Sequence, residues 1–171
     1  VGSEKTWPKQ PRFVAPLYHF VTYDPNETIF LKPACLFYFP QHVIKRNTNL
    51  INTLEREIKT CEMLSHHPHP NICGYKGIVV DEYDIITGLC FEKFVMGFDE
   101  FVAAGWSFDA DPALQDIECG IDHLHSLDLV HCDIEPRNVF INIKKQRFVV
   151  GDFDSTHHIG DRLHLWRGTK G

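Results

Sequence analysis

The stretch HCDIEPRNVFINIKKQRFVVGDFDS, residues 131–155, most constrains what this chain can fold into. Three polar residues, Asp133, Asn138 and Asp152, stand at the edges of its apolar runs. A strand, a basic turn and a second strand separate Asn138 from Asp152, and such a hairpin would bring both to one end, close to Asp133. Two carboxylates and an amide at one place suit a divalent cation and a phosphate ester, because Mg²⁺ prefers carboxylate and phosphate oxygens. We therefore predict a metal and phosphate site at the end of a hairpin.

The same stretch resembles the catalytic loop and metal-binding motif of the eukaryotic protein kinase superfamily. HxDxxPxN begins at His131, and DF follows at Asp152. The DFDS variant is frequent in kinase-like proteins of fungi, so a divergent fungal-type member is the nearest resemblance. It implies an α+β, protein kinase-like fold. A β-rich small lobe with one helix would occupy 13–94, and the first half of a mainly helical large lobe, with the catalytic loop, metal motif and activation segment, would occupy 95–171.

The chain ahead of this stretch changes periodicity several times. Residues 1–12 are rich in Pro, Lys and Gln, which favours a loose N-terminal segment. Short apolar runs between turn residues at 13–44 predict a meander of three or more antiparallel strands. Apolar residues then recur on one helical face at 50–64, which predicts a helix there.

Further strands and helices are predicted between that helix and the catalytic-loop stretch. Residues 72–80 and 84–94 have strand patterns, and FDEFVAAG at 98–105 favours a short helix. The strongest helical segment runs from Asp109 to Leu127, and Pro112 suits its first turn. Its apolar stripe consists of Leu114, Ile117, Ile121 and Leu124.

The resemblance implies a role for each polar residue of the catalytic-loop stretch. Asp152 would hold Mg²⁺ against the phosphates of ATP, and Asn138 would hold a second metal position. Asp133 would accept or orient the proton of the substrate hydroxyl. The alternative is structural: a turn aspartate for Asp152, and loop capping by Asx side chains for the other two.

The resemblance also implies a lysine and a glutamate that anchor the α- and β-phosphates. Lys45 ends the strand-like HVIK, and Glu57 lies on the predicted helix that follows. Lys32 is a rival for the lysine role, but Pro33 follows it and fits a central strand poorly. We therefore prefer Lys45 as the partner of Glu57. The structural alternative for Glu57 is an ordinary exposed helix charge.

By the resemblance, the adenine site lies where a strand passes into the linker, at LCFEKF. Phe91 would be the bulky residue at the back of the pocket, and backbone groups of Glu92 and Phe94 would meet the base. Asp99 could reach the ribose. The structural alternative is a strand end with an exposed charge.

Several residues depart from the family pattern. The predicted meander has no GxGxxG, and TYDPNET stands where that loop should cover the phosphates. Glu135 replaces the catalytic-loop lysine of Ser/Thr kinases and would repel a phosphate, while Arg137 could pair with it or reach the phosphate. Cys132 replaces the arginine that reads a phosphorylated activation loop, which disfavours that mode of activation. Asp154 replaces the glycine of DFG and would stiffen the hinge.

The end of the sequence, RGTKG at 167–171, resembles the segment that docks substrate in Ser/Thr kinases, with Thr169 at its centre. The chain stops before an APE-like motif. The apolar faces around Leu124, Val130 and Phe140 would then need another cover. We expect either self-association as a homo-oligomer or a protein partner at those faces.

Composition narrows the class of partner. A net charge of −6 gives no reason to expect nucleic acid. No apolar run is long enough for a membrane span, and the six cysteines form no CxxC, which favours buried free thiols in a reducing, intracellular compartment. Two functions stay open. One is an ATP- and Mg²⁺-dependent kinase acting on Ser or Thr of a protein substrate, and the other is a pseudokinase that regulates a partner without transferring phosphate.

Overall fold

The computed structural model describes residues 28–34, 48–82, 84, 86–143 and 145–162. In chain order these form β1 (Ile29–Pro33), α1 (Thr48–His66), β2 (Tyr75–Val80), β3 (Ile86–Glu92), α2 (Phe98–Ala103), α3 (Ala110–Ser126), β4 (Leu129–Val130), β5 (Val139–Asn142), β6 (Arg147–Val150) and β7 (His157–His158). Most of the meander predicted at 13–44 lies outside the described residues, and β1 is the part of it that the structure describes.

The first sheet is antiparallel, with β3 between β1 and β2. Lys32 lies opposite Leu89, and Pro33 is the last residue of β1. Because β1 is an edge strand among the described strands, the missing N–H of a terminal proline interrupts little of the ladder. The strands predicted at 72–80 and 84–94 are confirmed, in shorter form, as β2 and β3.

Helix α1 confirms the helical pattern predicted for 50–64. Its apolar residues Leu54, Ile58 and Cys61 are buried, and the helix packs against β2. Burial of each Leu or Ile side chain stabilises the fold by about 1.5–3 kcal/mol. Glu57 lies on the same buried side at 4% exposure, and a carboxylate removed from water in this way needs a partner.

Helix α3 begins where the sequence predicts. The Asp109 carboxylate caps it by accepting a hydrogen bond from the Asp111 N–H at 3.2 Å. Pro112 follows in the first turn, where its fixed φ suits the helix and no intrahelical donor is lost. The short helix predicted after Gly97 is confirmed as α2.

The buried side of α3 differs from the predicted stripe. It runs through Ala113, Gly120 and Leu124, whereas Leu114 is 58% exposed. Gly120 packs so closely on the loop after α1 that an added Cβ would lie 2.8 Å from the Asn71 carbonyl oxygen. The helix therefore approaches the rest of the fold through small residues, and the larger Leu114 remains outside.

The predicted strand–turn–strand is confirmed as the β5–β6 hairpin, in which Val139 lies opposite Val150. The Gly151 N–H donates to the Asn138 carbonyl oxygen at 2.9 Å, beyond the last strand pair. Strand β7 pairs with β4, so the segment after the metal motif returns to the strand that precedes the catalytic loop. The open end of the hairpin carries the candidate site.

A continuous hydrophobic core joins the sheet, α1, α3 and the hairpin. Leu124, expected from the sequence to need outside cover, is 0% exposed within this core. Phe140 is half-buried and stacks on Phe94, with ring centroids 5.7 Å apart. The expectation that the face around Leu124 needs another cover is therefore wrong at Leu124, because this residue packs in the core that joins the sheet, α1, α3 and the hairpin.

The cysteines agree with the predicted free thiols where the structure describes them. None of the described cysteines forms a disulfide. Cys61, Cys73 and Cys90 are buried as predicted, whereas Cys119 and Cys132 are exposed. Within the described ranges, no helix combines the length and the apolar character that a membrane span requires.

Candidate active site

Lys32 joins helix α1 to the metal motif. Its Nζ lies 2.6 Å from Glu57 Oε1 and 2.5 Å from Asp152 Oδ1. The side chains of Lys32, Glu57 and Asp152 are 21%, 5% and 35% exposed. Strand β1 supplies the lysine, α1 the glutamate and the turn after β6 the aspartate, so three elements meet at one ammonium group.

This contact bears on the choice between the two lysines. Lys45, which the sequence favoured, lies outside the described residues. Among the described residues, Lys32 is the lysine that reaches Glu57. The objection raised by Pro33 loses its force, because the proline is the last residue of β1, which is an edge strand among those the structure describes.

The arrangement favours a charged lysine. Burial alone would lower the pKa of Lys32, but the carboxylates of Glu57 and Asp152 outweigh it and raise that pKa above its ordinary value. Burial raises the pKa of Glu57, and Lys32 opposes that rise. The ammonium group therefore stays protonated at neutral pH and separates two carboxylates that would otherwise repel each other.

Asp133 and Asn138 form the second part of the site. Asn138 Nδ2 donates to the Asp133 carbonyl oxygen at 2.8 Å and to Asp133 Oδ2 at 3.0 Å. Because the amide nitrogen is engaged, the Asn138 amide oxygen is the atom left for a cation. The prediction that these two residues meet at the hairpin end is confirmed, and their chemical roles remain predictions.

His131 contacts both parts of the site, and no separate role was predicted for it from the sequence. Its Nδ1 accepts from the Asp133 N–H at 3.3 Å, so Nε2 carries the proton and donates to the Gly151 carbonyl oxygen at 3.0 Å. Its ring meets Phe153 edge to face. Burial lowers the pKa of His131, against a smaller rise from its bond to Gly151. A neutral His131 thus ties the catalytic loop to the metal motif.

Two residues of the site have left-handed backbone angles, which are uncommon outside glycine. Cys132 has φ 64° and Asp152 has φ 61°. Such conformations persist only where surrounding contacts hold them, and they cluster at functional sites. Asp154, in the place of the DFG glycine, has no positive φ, so the backbone observed here does not require a glycine at that position.

Glu135, which replaces the family's catalytic-loop lysine, forms an ion pair with Arg137. Nη2 of Arg137 also lies 3.9 Å from Asp133 Oδ2. The Arg137 side chain is 63% exposed and that of Glu135 is 22% exposed. Of the two roles suggested for Arg137, the structure has the pairing with Glu135, which offsets the negative charge next to Asp133.

The strand-to-linker passage has the form expected of a base-binding edge. Phe91 is 5% exposed in the central strand β3. The Glu92 N–H donates to the Gly74 carbonyl oxygen at 2.7 Å, which leaves the Glu92 carbonyl for a base. Phe94 stacks on Phe140 at the start of the linker, so an apolar surface adjoins these backbone groups.

Phe140 also packs against the residue that precedes Asp152. A Cβ added at Gly151 would lie 2.7 Å from Phe140 Cε2 and 3.0 Å from Cys73 Cβ. The first distance is shorter than Cβ atoms normally allow and the second is tight, so this position favours glycine for close approach. The apolar surface next to the linker and the metal motif are therefore packed directly on one another.

The sequence also predicts roles for Asp99 and Thr169. Asp99 is exposed in the first turn of α2, and its Oδ1 folds back towards Gly97. Thr169 lies outside the described residues.

The donor set fits Mg²⁺. Asp152 Oδ1 is engaged by Lys32, which leaves its other carboxylate oxygen, and Asn138 offers its amide oxygen. An incomplete set of hard oxygen donors suits Mg²⁺, which usually keeps waters and takes phosphate oxygens as further ligands.

Comparison with known proteins identifies the family. Residues 37–169 match the family model for the protein kinase domain. The chain is 38% identical over 77 residues to the serine/threonine-protein kinase/endoribonuclease IRE1 of Hypocrea jecorina, which covers 43% of this chain and 6% of that protein. It is 29% identical over 140 residues to the serine/threonine-protein kinase SBK1 of Mus musculus. That alignment covers 74% of this chain and 31% of the relative.

These alignments span less than a third of either relative. The family match, by contrast, covers well over half of this chain. It includes α1, the linker, the catalytic-loop hairpin and the metal motif. The chain belongs to the protein kinase family and has a mixed α+β, protein kinase-like fold.

Proposed function

We propose that this chain binds ATP with Mg²⁺ and transfers the γ-phosphate to a serine or threonine hydroxyl of a protein. The observation that carries the proposal is the contact of Lys32 with both Glu57 and Asp152. This contact places the protonated amine of Lys32 beside Asp152, the carboxylate proposed to bind Mg²⁺, and joins both to helix α1 through Glu57. Phosphoryl transfer depends mainly on such positioning and on charge stabilisation.

Each residue has a distinct task in this proposal. Lys32, rather than Lys45, holds the α- and β-phosphates, and Glu57 holds Lys32 in position. Asp133 orients the substrate hydroxyl and receives its proton. Asp133 suits this task because its backbone N–H is anchored on His131 and its Oδ2 on Asn138, which fixes the carboxylate.

Asp152 and Asn138 are the residues that would hold Mg²⁺. The ion would neutralise charge on the phosphates of ATP. Beside it, the Glu135–Arg137 pair keeps the surroundings of Asp133 from being strongly negative. The Glu92 carbonyl and the Phe94 backbone meet the adenine, with Phe91 behind it, and Asp99 approaches the ribose.

The second candidate is a fungal-type pseudokinase that regulates a protein partner without transferring phosphate. Glu135, a carboxylate in the position of the family's catalytic-loop lysine, favours it. Even when paired with Arg137, it supplies no positive charge towards a γ-phosphate. In either case we propose an intracellular protein. Thr169 would lie in its substrate-docking segment, and the chain could associate with a second copy of itself.

The test combines transfer of radiolabelled γ-phosphate to a generic protein substrate with thermal shift in ATP and Mg²⁺. Asp152→Asn keeps the size of the side chain and an oxygen that can accept from Lys32, but removes the charge. Asp122→Ala, an exposed aspartate on α3, is the matched control. Transfer that is lost in Asp152→Asn and kept in Asp122→Ala supports the kinase.

The other outcomes separate the two candidates. A thermal shift that needs Asp152, without any transfer, supports the pseudokinase. Neither transfer nor shift in the wild type contradicts the nucleotide-binding proposal as a whole. Transfer that is equal in both variants points to a contaminating kinase.

A further inference from the structure

Arg56 makes a second connection between helix α1 and the metal motif. Its Nη2 donates to the Asp154 carbonyl oxygen at 2.8 Å. Arg56 precedes Glu57, whose partner Lys32 holds Asp152. The helix therefore contacts the motif at its first residue, through Lys32, and at its third residue, directly.

The third residue of the motif is the one at which this chain departs from its family. Asp154 carries a side chain where the family has glycine, and that carboxylate accepts a hydrogen bond from Ser155 Oγ at 2.9 Å. With its carbonyl oxygen held by Arg56, this residue is fixed on both the backbone and the side chain. A hydrogen bond from a charged guanidinium is stronger than one between neutral groups.

Two adjacent helical residues point about 100° apart around the helix axis. The connections through Arg56 and Glu57 therefore leave α1 in different directions, which restricts rotation of the helix as well as its separation from the motif. Without Arg56, the carbonyl oxygen of Asp154 would lose its direct contact with α1.

We propose that Arg56 is a positioning residue that holds the turn at Asp154 and keeps Asp152 directed towards a Mg²⁺–nucleotide. This inference rests on the proposed function. The inference adds a contact between α1 and Asp154, and this contact stabilises the proposed metal-binding arrangement in a motif that has Asp154 where the family has glycine.

Removal of Arg56 should leave the fold intact. The residue lines a cleft of about 330 Å³ between α1 and β7, together with Lys59 and Thr156. Because the cleft is open, truncation at Arg56 enlarges an existing space and creates no closed cavity in the core.

The test compares Arg56→Ala and Arg56→Lys with Lys59→Ala, a control for an exposed cation one turn further along α1. Thermal shift at saturating ATP is measured over a Mg²⁺ titration, and again with ATP and EDTA. In Arg56→Ala we expect about tenfold weaker apparent Mg²⁺ affinity, which corresponds to about 1.4 kcal/mol. Metal-free ATP binding should be unchanged. Lysine, which can still donate to the carbonyl, should recover part of the loss.

Hydrogen exchange measured without nucleotide is a second test, and it does not depend on ATP binding. Faster exchange at residues 152–156 in Arg56→Ala, with no change in Lys59→Ala, supports the positioning role even where no variant binds nucleotide. The inference is overturned if exchange at these residues is unchanged in Arg56→Ala. It is also overturned if the wild type binds Mg²⁺–ATP and Arg56→Ala gives the same Mg²⁺ titration. Either result leaves the proposed function standing. A wild type without any response to Mg²⁺–ATP contradicts the proposed function instead.

Discussion

Two groups of opposite charges lie within the site, and they differ in burial. Lys32, Glu57 and Asp152 meet between the sheet and α1, where the Glu57 side chain is 5% exposed. Arg137 and Glu135 meet at the surface, where the Arg137 side chain is 63% exposed. Both groups join a base to an acid, but only the first contains a carboxylate, that of Glu57, that is almost wholly removed from water, and only the second has a mostly exposed cation.

Burial changes what each group contributes. An exposed ion pair stabilises little, because water already solvates both charges. A buried carboxylate without its cation is costly, because neither water nor a partner compensates its charge. We therefore infer that the Lys32 group is required for the site to assemble, while the Arg137 pair adjusts the charge near Asp133.

The largest effect is expected from Lys32→Met, which keeps much of the apolar stem and removes the charge. Glu57 and Asp152 then face each other without a shared cation. The variant should lose about 3 kcal/mol of unfolding free energy, measured by urea denaturation. It should also lose the thermal shift in ATP and Mg²⁺.

The double variant Lys32→Met, Glu57→Leu separates lost charge from lost packing. It should regain much of the stability, since an apolar pair leaves no buried carboxylate at position 57, but it should not regain nucleotide binding. Lys59→Ala controls for loss of an exposed cation. If Lys32→Met costs no more than about 0.5 kcal/mol, the level of an ordinary surface change, the distinction between the two groups fails.

Local patterns predicted those parts of the fold that depend on neighbours in sequence. The period of α1, the start of α3 near Asp109 and the strand–turn–strand of the β5–β6 hairpin were all predicted correctly. They led correctly to Asp133 and Asn138 at one end of the hairpin. Regular elements obey rules of spacing, and those rules act over a few residues.

Such rules did not identify Lys32 as the partner of Glu57. The residue after it, Pro33, argued against Lys32 on the assumption of a central strand, but strand order is a property of the folded sheet. Likewise, Leu114 shares the helical period of the buried residues, yet Gly120 decides which side of α3 approaches the core. One polar partner of His131, the Gly151 carbonyl oxygen, comes from the end of a different strand. These choices follow from contacts distant in sequence.

His131 is a second buried polar group, and it offers a test of burial by pH. Burial lowers its pKa below the ordinary value of 6.5, so the folded state favours the neutral ring. The stabilisation that the neutral His131 ring gives the folded state is complete above about pH 6.5. It is lost as the pH falls towards the lower pKa of His131 in the folded state. Unfolding free energies measured at pH 7.5 and at pH 5.5 should therefore show a loss of stability in acid.

The variant His131→Gln supplies the comparison. A glutamine can donate to the Gly151 carbonyl and accept from the Asp133 N–H, but it does not titrate. Its loss of stability in acid should be smaller than that of the wild type. His158→Gln, at an exposed position in β7, should behave as the wild type does. An equal loss in His131→Gln would mean that other groups carry the acid sensitivity.

The smallest effect on stability is expected at the exposed pair. Arg137→Ala should change the unfolding free energy by less than about 1 kcal/mol. Its effect on phosphate transfer should be larger, because Glu135 then stands unpaired beside Asp133. We expect about a tenfold decrease in kcat/KM, equivalent to about 1.4 kcal/mol.

Adding Glu135→Gln to Arg137→Ala decides whether that decrease is electrostatic. If the arginine acts by offsetting Glu135, removal of both charges should restore most of the lost rate, since no unpaired carboxylate remains near the transferred phosphate. If the arginine instead contacts the phosphate itself, the double variant stays as slow as the single one. Salt separates the two further: the deficit of Arg137→Ala should shrink at high ionic strength if exposed charge repulsion is its cause. A stability loss of several kcal/mol in Arg137→Ala would show that the surface pair behaves like the buried one, and burial would then not explain the difference between them.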